Sequence, residues 1–294
     1  MTLSARENEN FGRLCEVNVG GLRVESLRVG FTVDKTTKRE PNTCEIAVYN
    51  LSRAHRQALE TGYGKFRVPG TKLKAIPVRL AAGYAGTGMS LLFYGQLREV
   101  FSRPESDGSW VTVLRSGDGD RATRARATFG FRPGVSIARV VESLTGEMGI
   151  GLGNAAKQLV EARLTGLGGT IGRGVAFEGA APEQLDAILR SAGYEWSIQD
   201  NALQVVPIGK SLDMLGTVLS PQTGLVDVPT TDEKGNLQAR ALLLPGLVPG
   251  RRVKVRSSTI SGVWRIERVR YAGDTHGQDW AAEIEGTPSP EVGG

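Results

Sequence analysis

The sequence predicts a mainly β protein with an α+β middle, on three observations. Apolar and polar residues alternate through much of the first 117 positions and again after Lys210. Between them, Ile137, Val140, Val141, Leu144 and Met148 mark one face of a helix. A helix-plus-hairpin pattern then occupies 182–207. The 294 residues are enough for two ordinary domains, or for one with inserts. At 40% apolar and 23% charged, the chain has the composition of a folded protein.

The elements read in order as follows. Leu14–Val19 and Glu25–Val33 alternate on either side of Gly20 and Gly21. Cys44, Ile46 and Val48 point one way and Glu45, Ala47 and Tyr49 the other, which is a half-buried strand. Ser52 is placed to cap a short helix, Arg53–Glu60, ended by Gly62. The stretch Leu73–Val100 then gives two strands, Ile76–Ala82 and Leu91–Val100, around a Gly-rich turn. Trp110–Arg115 follows the turn-rich SRPESDGS. So many short strands with one short helix predict a closed barrel or a sandwich.

In the middle, Val135–Met148 reads as a helix, and a second runs from Asn154 to about Arg163. Leu164–Gly174, LTGLGGTIGRG, reads as a flexible linker. Pro182 opens the next helix, Leu185, Ile188, Leu189 and Ala192 form its buried stripe, and Gly193 ends it. Tyr194, Trp196 and Ile198 alternate, Asp200 and Asn201 turn the chain, and Leu203 and Val205 alternate back. Ser220–Asn236 reads as a long loop or extended arm, and Leu244–Gly250 as a tight connection holding two prolines. Three strands close the chain: Arg251–Arg256, Val263–Tyr271 and Asp279–Glu285, with a frayed tail after Thr287. The domain boundaries expected are therefore 1–117, 118–210 and 211–294. The middle one holds helices within 135–163 and the helix-hairpin at 182–207, with room left in it for the first strands of a second barrel.

Catalytic and metal-binding patterns are weak. Cys15 and Cys44 are too few for a zinc site, and His55 and His276 lie far from them in sequence. Buried free thiols are expected; a disulfide would require the two strands to pair, and a reducing cytoplasm opposes it. Gly117–Asp120, GDGD, lacks the later ligands of a calcium loop and reads as a turn. Gly146–Asn154 is glycine-rich without the strand-turn-helix order of a nucleotide loop. Asp274, His276 and Asp279 share one short segment, Gly273–Trp280, which also suits a hairpin loop. No GxSxG occurs. No catalytic, cofactor-binding or metal-binding residue is assigned, and no cofactor is expected.

The net charge is +5. Its densest basic stretch, Arg121–Arg132, carries Arg121, Arg124, Arg126 and Arg132 with only Phe129 and Phe131 as aromatics. That reads as a solvated strand or an interface rim, since a nucleic-acid groove has more stacking positions. No run of about 18 apolar residues is present, so no membrane span is expected. The opening MTLSARENENFGRL has no apolar signal core, which predicts synthesis and retention in a cytoplasm until assembly.

Three stretches resemble the baseplate hub proteins of tailed bacteriophages. PNTCEIAVYNLS with VRLAAGYAG and LLFYGQL looks like a first tube-type barrel. FEGAAPEQLDAILRSAGYEWSIQDNALQVVP looks like the helix-hairpin module of the middle. LLLPGLVPGRRVKVRS with SGVWRIERVRYAGDTHGQDWAAEIEG looks like closing barrel strands. The resemblance implies two tube-type antiparallel β-barrels per chain plus a small helix/hairpin module, and a structural, non-enzymatic virion protein. It implies a homotrimeric, pseudo-sixfold ring between the tail tube and the central spike, in a contractile tail. The partners implied are further copies of the chain, the tail tube or a tube-adaptor protein, the central spike, baseplate wedge proteins and the tape measure protein. DNA would pass only in transit through the lumen. The competing readings are another tail-tip ring or tube-initiator, a cell-wall-degrading tail enzyme, and a nucleic-acid binder acting through Arg121–Arg132.

Overall fold

The computed structural model describes residues 12–66, 75–158, 169–212 and 216–289. The chain divides into two compact units. Unit 1 takes the chain up to Lys35, Thr43–Gly117 and everything from Asp213 onward. Unit 2 takes Thr36–Asn42 and Asp118–Leu212.

Unit 1 begins with β1 (Arg13–Val19), β2 (Leu22–Val24), β3 (Val29–Thr36) and β4 (Thr43–Tyr49). Helix α1 (Arg53–Phe66), β5 (Pro77–Tyr84), β6 (Gly88–Pro104) and β7 (Trp110–Gly117) follow. Ser52 caps α1 as expected, its Oγ accepting from the His55 N–H at 3.2 Å. The helix does not stop at Gly62. It continues to Phe66, and the Tyr63 hydroxyl donates to the Arg98 carbonyl on β6. A tertiary anchor beyond Gly62 thus overrides a local stop signal. The two strands after it are longer than the alternation indicates, above all β6 at 17 residues. Register shifts at Leu80/Ala81 and Leu97/Glu99 let so long a strand bend. At the second bulge the Arg98 guanidinium lies over Gly117, where a Cβ would stand 1.9 Å from it.

Unit 2 carries α2 (Asp120–Thr123), β8 (Arg126–Phe131), β9 (Val135–Ser136) and α3 (Ile137–Met148). A helical turn at 155–158, α4, is followed by β10 (Thr170–Ile171), β11 (Val175–Ala180) and α5 (Ala181–Ser191). The hairpin β12 (Tyr194–Gln199) and β13 (Ala202–Pro207) completes it. The expected helix from Asn154 to Arg163 is therefore seen over 155–158, and 159–163 lie outside the described residues. The expected linker is corrected in part: Thr170 and Ile171 pair with β9, while 164–168 lie outside the described residues. The Arg121–Arg132 stretch is a helical turn and then a strand, not a strand throughout. Its core packs α3 and α5 through Val140, Leu144, Met148, Leu185 and Leu189 against Phe177, Trp196 and Ile198. Asp200 and Asn201 both adopt left-handed backbone, φ 54° and 62°, the geometry that matches a two-residue turn to the twist of a hairpin.

The chain then returns to unit 1 as β14 (Thr217–Leu219), β15 (Thr230–Thr231), β16 (Leu237–Leu242), β17 (Arg252–Arg256), β18 (Ser261–Asp274) and β19 (Trp280–Pro288). These six and the first seven strands form one 13-stranded sheet. Its order is β15-β16-β19-β18-β3-β4-β7-β6-β5-β1-β2, with β17 joined to β18 and β14 to β17. The pairing of β18 with β3 therefore links the two ends of the chain. One hydrophobic core serves both, from Val17, Ile46, Leu80 and Phe93 to Val253, Ile266 and Ile284. The stretch Ser220–Asn236, expected as loop or arm, runs along the β16 edge. Val226 N–H bonds the Arg240 carbonyl, Leu242 N–H bonds the Gly224 carbonyl, and β15 pairs with β16.

Candidate assembly surface

The outward positions of unit 1 carry two contrasting surfaces. The first is a charged ladder across seven neighbouring strands. Glu45, Arg115 and Glu99 are direct cross-strand partners on β4, β7 and β6. Arg115 Nε donates to Glu45 at 2.9 Å and Nη1 to Glu99 at 3.0 Å. On the other side of β3, Arg268 Nε donates to Asp34 at 2.8 Å, and Arg268 Nη1 to Glu285 at 3.2 Å. Glu283 then stands opposite both Arg270 and Arg240. Hydrogen bonding to Asp34 pushes the Arg268 guanidinium well above its usual range, with the Asp34 charge acting in the same direction. The hydrogen bonds that Arg115 donates to Glu45 and Glu99 raise it as well. Exposed pairs of this kind add little stability each. Their effect is on register, because a one-residue slip would take each charge from its partner and turn the strand's polar positions toward the core. A cavity of about 550 Å³ beside the ladder is lined by Asp34, Glu45, Tyr63, Arg98 and Arg270.

The second surface is apolar. Leu14 on β1, Gly83 on β5 and Met89 on β6 are aligned, as are Glu16, Ala81 and Leu91. Arg79 is aligned with Tyr94. Gly83 and Ala81 on the middle strand leave a trough between exposed Leu14 on one side and exposed Met89 and Leu91 on the other; beside Tyr94 the middle strand carries exposed Arg79, paired with Glu16.

The sequence-predicted candidates fall into structural roles. In GDGD, Asp118 is fully buried and accepts from Asn42 N–H at 2.8 Å, Asn42 Nδ2 at 2.9 Å and Asp200 N–H at 2.9 Å. Asn42 also donates to the Ile198 carbonyl, and Gln199 to the Thr36 carbonyl. This network fastens 36–42 to the hairpin inside unit 2. Within Gly146–Asn154, Gly149 is the left-handed cap of α3. Asn154 bonds both backbone groups of Val205, at 2.7 and 2.8 Å, as a neighbouring strand would.

In Gly273–Trp280, Asp274 receives the Arg28 guanidinium at 2.8 Å and the N–H groups of His276 and Gly277 at 2.9 Å. Burial pushes the Asp274 carboxyl up, but Arg28 and the two N–H groups outweigh it, and its pKa lies below the usual value. Arg13 donates to the carbonyls of Asp274, Gly277 and Gln278 and lies against the Trp280 ring. The loop is thereby held by β1 and β3. Cys15 and Cys44 are free and buried, and burial, with the Glu16 charge, pushes the Cys15 thiol up to about 12. His55 and His276 are exposed in the α1 turn and the β18–β19 loop. Among the described residues no three His, Cys, Asp or Glu side chains converge as a metal site would require. No described helix is long and apolar enough to cross a membrane.

Sequence reasoning missed the ladder. Its signal was present as charges at alternate positions of β18 and β19 and as single charges on β4 and β7, but which charge meets which depends on strand order.

The described residues thus form a 13-stranded sheet with paired charges on its outward positions, and a smaller α+β unit. Solved structures carry the same fold. A tail protein from Neisseria meningitidis MC58 is 11% identical, with a TM-score of 0.59 over 94% of this chain and 96% of that one. The 43 kDa tail protein of prophage MuSo2 from Shewanella oneidensis is 8% identical, with a TM-score of 0.61 over 94% and 98%. The c3393 protein of E. coli, a type VI secretion component reported as similar to T4 tail proteins, is 11% identical, with a TM-score of 0.58 over 94% and 77%. Such identities establish the fold alone. The sequence itself matches the family described as Baseplate hub gp41 over residues 16–286, and the chain belongs to that family. Membership makes it a component of the virion tail. No curated protein matches it.

Proposed function

We propose that this chain is the subunit of a homotrimeric hub ring that joins the tail tube to the central spike. Each copy supplies two tube-type β-barrels, one from 1–117 and one from 211–294. The 118–210 region is the α+β module. Three copies then present six barrels, which suits a hexameric tube on one side and a trimeric spike on the other. The tube or a tube-adaptor, the spike, wedge proteins and the tape measure protein are the partners, and DNA crosses the lumen in transit. The role is structural rather than catalytic, and the tail is contractile.

The observation that carries this reading is the hub-family match across 16–286. The apolar trough of Leu14, Met89 and Leu91 supports it as a surface that a neighbouring copy would cover. Light scattering on the purified protein, followed by capture with purified tube and spike proteins, tests it. A mass of three 31.4 kDa chains is expected. A stable monomer that captures neither protein would overturn it.

A further inference from the structure

Four arginines of unit 2 stand outside the ion pairs that hold others of the same unit, such as Arg39 and Arg190 to Asp186 and Arg139 to Glu142. In unit 1, Arg13, Arg23, Arg28, Arg79, Arg115 and Arg268 are all held by carboxylates or carbonyls. In unit 2, Arg124, Arg126, Arg132 and Arg173 are exposed, and none forms an ion pair with a described residue. They border the ribbon of β8 and β11, a two-stranded sheet in which each strand has one partner among the described residues. Arg124 and Arg126 stand at one end and Arg132 and Arg173 near the other, about 20 Å apart at ordinary strand rise. Arg126, Thr128 and Gly130 point outward on β8, and Ala176, Glu178 and Ala180 stand opposite them on β11. The aromatic residues Phe129, Phe131 and Phe177 contact one another and pack on the unit 2 core. The ribbon thus presents a mostly small-residue face that holds Glu178 and is bordered by four arginines, and neither strand has a second strand partner among the described residues.

An acidic segment lies elsewhere on the same chain. Ser220–Asn236 holds Asp227, Asp232 and Glu233 against a single Lys234, although the chain as a whole is basic. Asp232 is occupied in closing its own turn, with Lys234 and Asn236 N–H bonds at 2.8 Å. Asp227 is exposed, with a 3.6 Å pair to Arg240, and Glu233 is exposed too. Beside them Val226 is 48% and Val228 69% exposed, among the highest values for large apolar residues.

We propose that the acidic–apolar segment 226–233 of one copy docks on the arginine-bordered β8–β11 ribbon of the next. This rests on the ring reading above and names one of its contacts. The charge complementarity brings Asp227 and Glu233 to the ribbon arginines. The small-residue face and the strand edges without a second partner among the described residues accept an extended segment. A contact between different patches of successive copies is the heterologous kind that closes into rings. A nucleic acid is the weaker fit, because the aromatic residues of the ribbon are turned into the core rather than offered for stacking.

The test is charge reversal and exchange, with self-association followed by light scattering across a concentration series. Arg126→Glu with Arg132→Glu should weaken association about tenfold or more, and so should Asp227→Arg with Glu233→Arg. All four together should restore most of the loss, with circular dichroism unchanged throughout. Unchanged association in the arginine pair, or a loss that the exchange does not restore, overturns the proposal while leaving the ring reading standing. Loss of duplex-DNA retention at about 50 mM salt in the arginine pair, with self-association intact, overturns it in favour of a nucleic-acid face. A wild-type protein that forms no oligomer and captures no tail partner overturns both.

Discussion

Unit 1 and unit 2 hold themselves together by different means. Unit 1 is built from distant chain segments, and its central pairing joins β3 to β18, more than 200 residues apart. Unit 2 is assembled mostly from neighbours, with α3, α5 and one hairpin around a compact core. Unit 1 orders its polar surface as cross-strand ion pairs, whereas unit 2 places its main polar network inside, around Asp118. The difference separates a scaffold whose register is fixed along its face from a module closed on itself around one buried carboxylate.

The largest expected effect comes from the shared core of unit 1. Phe93 is fully buried, so Phe93→Ala should cost about 3–5 kcal/mol of stability. Hydrogen exchange should lose protection in both β1–β7 and β14–β19, because one core serves both. Loss confined to the first segment would mean that the two ends of the chain hold separately. Next comes the buried point of unit 2. Asp118→Ala leaves three donors without their acceptor and should cost about 3 kcal/mol, with protection lost at the Asp200–Asn201 hairpin. Unchanged exchange there would remove the network from the account.

Smaller effects sharpen the surface side of the comparison. Arg268→Ala breaks the link between β18 and β3 and should cost about 1 kcal/mol, less at high salt. A salt-independent loss would point to packing by its aliphatic stem instead. Asn201→Ala should cost about 1 kcal/mol through its left-handed backbone, and Asn201→Gly much less. Equal thermal melts for those two variants would contradict the turn assignment.

The Asp274 carboxyl tests pH dependence. Its folded pKa lies below the unfolded one, so its contribution is present above about pH 4 and is lost as the pH falls through the folded value. Asp274→Asn should therefore melt below wild type at pH 7 and converge with it in acid. A gap that persists at about pH 2 would show that charge is not its cause.

Legibility in the sequence follows the same division. The helix-hairpin of unit 2 was readable almost residue by residue, because Pro182, the stripe at Leu185 and Leu189, Gly193 and the Asp200–Asn201 turn are all local signals. In unit 1 the alternation of β3, β4, β7 and β19 was readable, but their order was not. Nothing local shows that Arg268 meets Asp34. The stop at Gly62 was read from one residue, while the helix is continued by a contact to Arg98. Strands as short as β14 and β15 have no pattern of their own and exist because β17 and β16 offer edges. The candidate site was the least legible part, since the apolar trough needs three strands side by side before Leu14 and Met89 become neighbours.

The central claim is a ring of three copies between tube and spike. Single-particle cryo-electron microscopy of assembled tail tips tests it most directly. The account predicts three copies of this chain around a threefold axis, each contributing two barrels to a pseudo-sixfold ring in contact with the tube. A tip in which the chain is absent from the tube–spike junction, or present there as six equivalent copies, would contradict it.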